Sequence, residues 1–480
     1  MRKLLIILAL SAALVPLFTG CVSYEARPIS AGDNATQFAA RRLDDPGLKS
    51  FVESHAPRMG SWPPAAWDLD SLTAAALYFH PGLALAREQW GVAEAGIKTA
   101  GGRPNPVVSA TPGYDFSAAS GVPAWIPLVN IDWPLETAGK RNRRLERARE
   151  LSAAARFGAL AAAWQVRAGL RAALVDVVGA RRRQSLLAAQ ISLQAQIVAS
   201  LEQRHAAGAA AEPEVAFARL ALNKTRLDLG DAQRAETEAQ GRLCSAIGVP
   251  LAATASLSLD FDLAKAPPGH DILTGAEARQ HALLSRPDLL AALADYAASE
   301  SALRLEIAKQ YPDIHLGTGY QWDQGESKWQ LGVTAEIPVL NRNQGPIEEA
   351  KARRGESAAR FNALQARIIT DVEQTLAVLE LTRRQLTEAE TLLAGQQKHL
   401  ASIEAQRAAG AAERMDELQA RLELSAVESG RLDRLARWQQ AIGAAEDALQ
   451  PSAINIEAVL ANSRASTTPV KTKPDQGNIP

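Results

Sequence analysis

Only two of the 480 residues are cysteine, Cys21 and Cys244, so neither a disulfide framework nor a cysteine-rich metal cluster is open to this chain. An excess of charge of one sign is also missing. The 52 basic and 53 acidic residues leave a net charge of −1, which gives no global field to draw nucleic acid, and no nucleic-acid partner is expected. The seven histidines are scattered from His55 to His399, with no His-x-x-x-His or Cys-x-x-Cys spacing. No metal-ligand set and no cofactor is therefore assigned. Catalytic signatures are lacking too: there is no Gly-x-Ser-x-Gly, no Walker loop and no dinucleotide-binding glycine run after a strand, so the chain does not read as an enzyme. Beyond its first residues it has no apolar run of 18 or more, because Arg167, Arg171 and Asp176 break the richest stretch at helical spacing. A composition of 47% apolar and 22% charged residues is still that of a chain with a large core.

Arg2 and Lys3 precede an apolar run, Leu4 to Phe18, of signal-peptide length, so residues 1–20 are read as a signal and the mature chain leaves the cytoplasm. The run ends in Phe18-Thr19-Gly20-Cys21, which resembles a bacterial lipobox. That resemblance implies lipidation at Cys21 and, with Val22 next, sorting to the outer membrane; Phe18 departs from the usual leucine. Residues 21–70 would then be a lipidated N-terminal segment.

Self-similarity organises the rest. Pro81, Pro106 and Gly113-Tyr114 match Pro287, Pro312 and Gly319-Tyr320 at a shift of 206. Ala154 to Phe157 matches Ala358 to Phe361 at 204, and Gly208 matches Gly410 at 202. Two tandem repeats follow, 71–250 and 276–450, joined by 251–275 and followed by a tail, 451–480, whose end is expected to be disordered. Each repeat reads helix, two strands, long helix, shorter helix. The strands are placed at 106–116, 125–135, 313–322 and 328–338. The helices after them are placed at 140–206, 212–247, 346–408 and 413–449, each repeat opening with a helix such as Leu72 to Gly101. A helix of 67 residues runs about 100 Å, too long for a globular core, and Val372, Leu379, Leu386, Leu393 and Leu400 recur every seventh residue as a coiled-coil seam does.

In the strands alternation is strict. Ile314, Leu316, Thr318, Tyr320 and Trp322 share one face, and Trp125, Pro127, Val129, Ile131 and Trp133 another. Trp125, Trp133, Trp322 and Trp329 fall near strand ends, as an aromatic girdle of a lipid-facing barrel does. A soluble sheet with one buried face would alternate too, and Pro112 and Pro127 suit it. Four strands cannot leave open edges in hydrocarbon, so several chains must close one barrel, and three copies give twelve strands with room for a lumen. Asp132 and Glu336 sit at equivalent repeat positions on the inward face: either a ring of carboxylates favouring cations, or partners for bases such as Lys140 and Arg342. The reversals at Gly208 and Gly410 are the helix tips. There Glu413, Asp416 and Glu417, with Arg414 as a bridging partner, form either an acidic gate or an ordinary solvated turn.

The halves, the strand pairs, the glycine reversals and the runs Arg103-Pro104-Asn105-Pro106 and Gly139-Lys140-Arg141 resemble the TolC-like outer-membrane efflux factor family over about residues 70 to 450. The resemblance implies a mainly α fold with membrane β: long helical hairpins forming an α-barrel, and four strands per chain in a twelve-stranded trimeric β-barrel. It further implies a homotrimer in the bilayer of the outer membrane, an exit duct whose tips meet a periplasmic adaptor and, through it, an inner-membrane pump of the resistance-nodulation-division type. The proline and Gly-Lys-Arg runs are similar to the heavy-metal-efflux branch. The rival reading is a periplasmic coiled-coil adaptor or structural lipoprotein.

Overall fold

The computed structural model describes residues 24–55, 62–255, 257–266 and 276–450. Cys21, the signal and the tail after Gln450 lie outside the described residues. The described chain falls into two units, 24–42 and 43–450. The first holds one helix, α1 (Ala31–Ala39), whose N-cap Ser30 accepts from the Asp33 N–H.

In the second unit, α2 (Pro46–His55) leads to α3 (Leu69–Phe79), which opens with a capping box between Asp68 and Ser71. Leu72 to Gly101 is not one helix as expected. Pro81 has no N–H to continue the ladder, and α4 (Pro81–Ala100) starts afresh with proline at its first turn. Pro287 repeats this break between α7 (Ala276–Ser285) and α8 (Pro287–Ala308). The long helices are α5 (Lys140–Ala206) and α9 (Gln344–Ala408), and each turns back into a shorter one, α6 (Glu212–Ile247) and α10 (Arg414–Leu449). No described helix is long and apolar enough to cross a membrane.

Helix α5 packs against α4 and α6 of its own repeat and against α8 and α10 of the other. Helix α9 packs on α8 and α10. The layer therefore runs α4–α5–α8–α9 at one end and α6–α5–α10–α9 at the other, leaving α4 and α6 along one lateral edge and α9 along the opposite one. Leu48, Leu72, Leu170, Leu174 and Ile247 anchor one core, and Ile368, Val372, Leu379 and Ile442 a second. Residues 43–55, 62–67 and 257–266 are drawn into these helices: Leu48, Val52 and Trp67 are buried, and Trp67 pairs with Leu259 in a β-bridge. Gly248 ends α6 in the left-handed region, at φ 88°, where any Cβ would stand 2.7 Å from the Phe79 carbonyl oxygen.

One antiparallel sheet, in the order β1 (Val107–Tyr114), β2 (Trp125–Leu135), β3 (Ile314–Asp323), β4 (Glu326–Ala335), joins the two repeats. Gln324 and Gly325, both at positive φ, make the two-residue turn between β3 and β4. Strand β4 therefore starts and stops earlier than 328–338, and Glu336 and Ile337 lie past its end. Strands β1 and β4 are the open edges. They continue into α4 and α9, so sheet and helical layer open along the same two sides.

Candidate channel lining and helix tips

The register sorts the sheet into two faces. Val129 opposes Tyr320, Ile131 opposes Thr318, Trp133 opposes Leu316 and Tyr320 opposes Trp329, which collects the apolar and aromatic side chains on one face. Asn130 opposes Gly319, Asp132 opposes Gly317, and Gly319 opposes Gln330 on the other. Trp125, Trp322 and Trp329 gather toward the β-hairpin ends, where Tyr114 meets Trp125 edge-on and Tyr320 meets Trp329. Trp133 alone stands near the helical end.

The polar face and the helix starts beneath it enclose a concave space of about 1010 Å³, lined by Asn130, Asp132, Asp313, His315, Thr334 and Glu336 among others. Both sequence-assigned carboxylates border it, but they differ in environment. Asp132 is neither paired with Lys140 nor with Arg342: His315 Nδ1 stands 2.8 Å from its Oδ2. Sequence reading missed His315, although inward-facing alternation two residues before Gly317 was its available signal. Glu336, beyond the strand, is exposed and pairs with no other side chain among the described residues.

Lys140 instead closes the junction between sheet and helices. Its buried ammonium donates to the Asp313 carboxylate at 2.8 Å and to the Tyr311 carbonyl at 2.7 Å. Thr137 adds its N–H to Asp313 and its hydroxyl to the Pro312 carbonyl. Burial works against ionisation of Asp313, yet the bonds from Lys140 and Thr137 outweigh it and hold the carboxyl below its ordinary range. Arg141 donates to the Gly101 carbonyl, and Arg144 forks onto Glu136, so the Gly139-Lys140-Arg141 run stitches strand ends to helix ends.

At the far ends of the hairpins, Gly208 and Gly410 sit at φ 74° and 75° and close matching turns. Ala209 N–H reaches the Arg204 carbonyl and Ala411 N–H the Gln406 carbonyl, the wider bond of a Schellman turn in each repeat. An ion pair is also duplicated there: Arg219 with Glu202 and Arg421 with Glu404. The second tip has more. Buried Glu417 lies between Arg407 and Arg421, where the first repeat has Val215. Asp416 accepts from the Glu413 N–H as half of a capping box. Arg414 donates to Gln196 and bridges no carboxylate among the described residues. At the tips themselves, Arg204 spans the two hairpins onto an acid, 3.3 Å from Glu413.

The outer membrane efflux protein family model matches residues 72–249 and 278–449, the two repeats. The chain belongs to that family. This outer membrane efflux protein is 25% identical over 231 residues to the cobalt-zinc-cadmium resistance protein CzcC of Cupriavidus metallidurans, covering 46% of the chain and 52% of CzcC. It is 24% identical over 285 residues to the pyoverdine export outer membrane protein OpmQ of Pseudomonas aeruginosa, covering 57% of the chain and 59% of OpmQ. The match thus spans little more than half the length of either relative. The fold extends further: the Campylobacter jejuni CmeC outer membrane channel superposes with a TM-score of 0.67 at 16% identity, over 92% of this chain and 94% of that one.

Proposed function

We propose that this protein is the outer-membrane exit duct of a tripartite efflux pump, a homotrimer that passes cargo from periplasm to exterior with no chemistry of its own. One observation carries the reading. A sheet greasy on one face and polar on the other has both edges open, and the helical layer below opens along the same sides. In hydrocarbon such edges need partners, and three copies in a ring supply them as a twelve-stranded barrel over a helical tunnel. The flanks support it: Phe217, Leu220 and Leu227 on α6, and Val378, Leu381 and Leu392 on α9, are exposed apolar stripes on the two opposite edges.

Cys21 would carry the acyl anchor, and Trp125, Trp133, Trp322 and Trp329 the interfacial girdle. The tips around Gly208 and Gly410 would meet the periplasmic adaptor, with an inner-membrane pump of the resistance-nodulation-division type behind it. Glu413, Arg414, Asp416 and Glu417 would guard the entrance. Asp132 and Glu336 would give the lumen a mild preference for cations. The named relatives point to different cargo, metal resistance in one and pyoverdine export in the other, so the duct is assigned without a cargo.

Purified protein added to planar bilayers should give trimeric channels, and a deletion strain should become sensitive to the pump's cargo. A water-soluble monomer without conductance overturns the reading. The chain with Ala209→Trp and Ala411→Trp should still conduct yet fail to complement the strain, because bulk at the tips blocks docking.

A further inference from the structure

The internal repeat provides a template for the seam between copies, and we infer that this seam pairs β4 with the next copy's β1 in a fixed register that sets Glu336 beside the neighbour's Ser109. This rests on the trimeric-channel reading and adds residue-level geometry to it.

Within one chain, the end of the first repeat is joined to the start of the second. Strand β2 pairs with β3 so that Asp132 opposes Gly317 and Leu135 opposes Ile314, and Thr137 and Lys140 stitch the β2–α5 junction to Tyr311–Asp313. Among the described residues, the end of the second repeat has no such partner in its own chain. Residues Ile337, Val339 and Leu340, which follow β4, are exposed and apolar, as are Val107 and Val108 on the edge of β1. The two repeats are equivalent in backbone as well as sequence here, since Gly139 and Asn343 cap the long helices at φ 70° and 61°.

Carrying the β2–β3 register across by the repeat shifts of 204 and 206 gives the seam. Asp132 becomes Glu336, Gly317 becomes Thr111 and His315 becomes Ser109. Val333 then opposes Tyr114 and Ala335 opposes Pro112, which keeps apolar residues on the outer face and polar ones inside. Glu336 to Val339, outside β4 in a single chain, become strand once β1 of the neighbour lies alongside. Asn341 stands where Thr137 does, opposite the neighbour's Pro106, and Gln344 replaces Lys140 opposite Asn105. Asn105 and Pro106 of the proline run are thereby half of an intersubunit stitch whose facing residues, Asn341 and Gln344, are neutral where the intrachain stitch is ionic.

The consequence is a lumen ring of two kinds of carboxylate. Each Asp132 has an imidazole at 2.8 Å, whereas each Glu336 faces a hydroxyl of the neighbouring copy. Glu336, at the seam, is the stronger attractor of cations.

The register is tested in the full chain with Cys244→Ala, since Cys244 is a free thiol, using the single substitutions as controls. Oxidised Thr111→Cys with Glu336→Cys should yield covalent dimer and trimer bands, and Thr111→Cys with Thr334→Cys, two residues out of register, should not. Trimers that crosslink only through the displaced pair, or through neither, overturn the register while leaving the channel reading intact; a protein monomeric before oxidation overturns the channel reading itself. In bilayers, Glu336→Gln should lower the cation-to-anion permeability ratio more than Asp132→Asn does. An equal or smaller effect of Glu336→Gln sinks the two-carboxylate assignment.

Discussion

A guanidinium is kept out of water only where other groups replace its hydration, and Arg171 is such a case. Its side chain is 3% exposed on α5, with the Glu446 carboxylate at 2.5 Å and the Gln439 amide oxygen at 3.2 Å, while Arg167 shares the same carboxylate. Burial alone would favour loss of its proton, and Glu446 opposes that. Gln439 in turn donates to the Leu263 and Lys265 carbonyls, so one polar cluster ties α5 and α10 to the chain between the repeats. Removing one member of a buried pair strands the other, at a cost of about 3–5 kcal/mol. Glu446→Ala should therefore lower the thermal midpoint of the helical signal sharply, and Arg171→Met combined with Glu446→Leu should recover most of the loss. This cluster was illegible in the sequence. Arg171 showed only as a charge interrupting an apolar stretch, and its partners lie 268 and 275 residues away. Separations of 183 and 209 residues likewise hid His315 from Asp132 and Arg204 from Glu413.

At the scale of elements, legibility followed periodicity. Two-residue alternation marked the strands and their apolar face, and the seven-residue spacing from Val372 marked the buried side of α9, where Val372, Leu379 and Leu386 pack. Strand ends were less legible because pairing sets them: β4 stops at Ala335 where β3, its partner among the described residues, begins. The proline breaks at Pro81 and Pro287 were visible as repeat markers while their backbone consequence went unread. Apolar residues on a second flank carry a prediction. Leu381 lies two residues beyond buried Leu379, about 160° around the helix axis, and is 55% exposed in the single chain. A charge there sits at an exposed position of the protomer but, in the proposed trimer, would face the α6 edge of a neighbour. Leu381→Asp should leave the helical circular dichroism of the chain unchanged and abolish the detergent-stable trimer on native gels; an intact trimer would show that α9 does not line the seam.

For the molecule as a whole, an acyl anchor and a membrane barrel make different demands on the same chain. A lipid tether binds in proportion to its buried methylenes, about 0.8 kcal/mol each, and one chain alone gives marginal, reversible attachment. A closed barrel is held by the entire outer face of its strands, from Val108 to Val333, and by backbone ladders with no alternative partner in hydrocarbon. The adaptor or structural-lipoprotein reading needs the tether, because nothing else in such a protein touches the bilayer. The duct reading does not. Replacing residues 1–21 by a signal cleaved without lipidation separates the two. A duct should remain in the outer membrane after alkaline carbonate washing, as a trimer that still conducts, since the sheet carries far more lipid contact than the acyl chains. A protein held by its tether alone would appear soluble in the periplasm, with its helices intact and its apolar sheet face covered by something other than lipid.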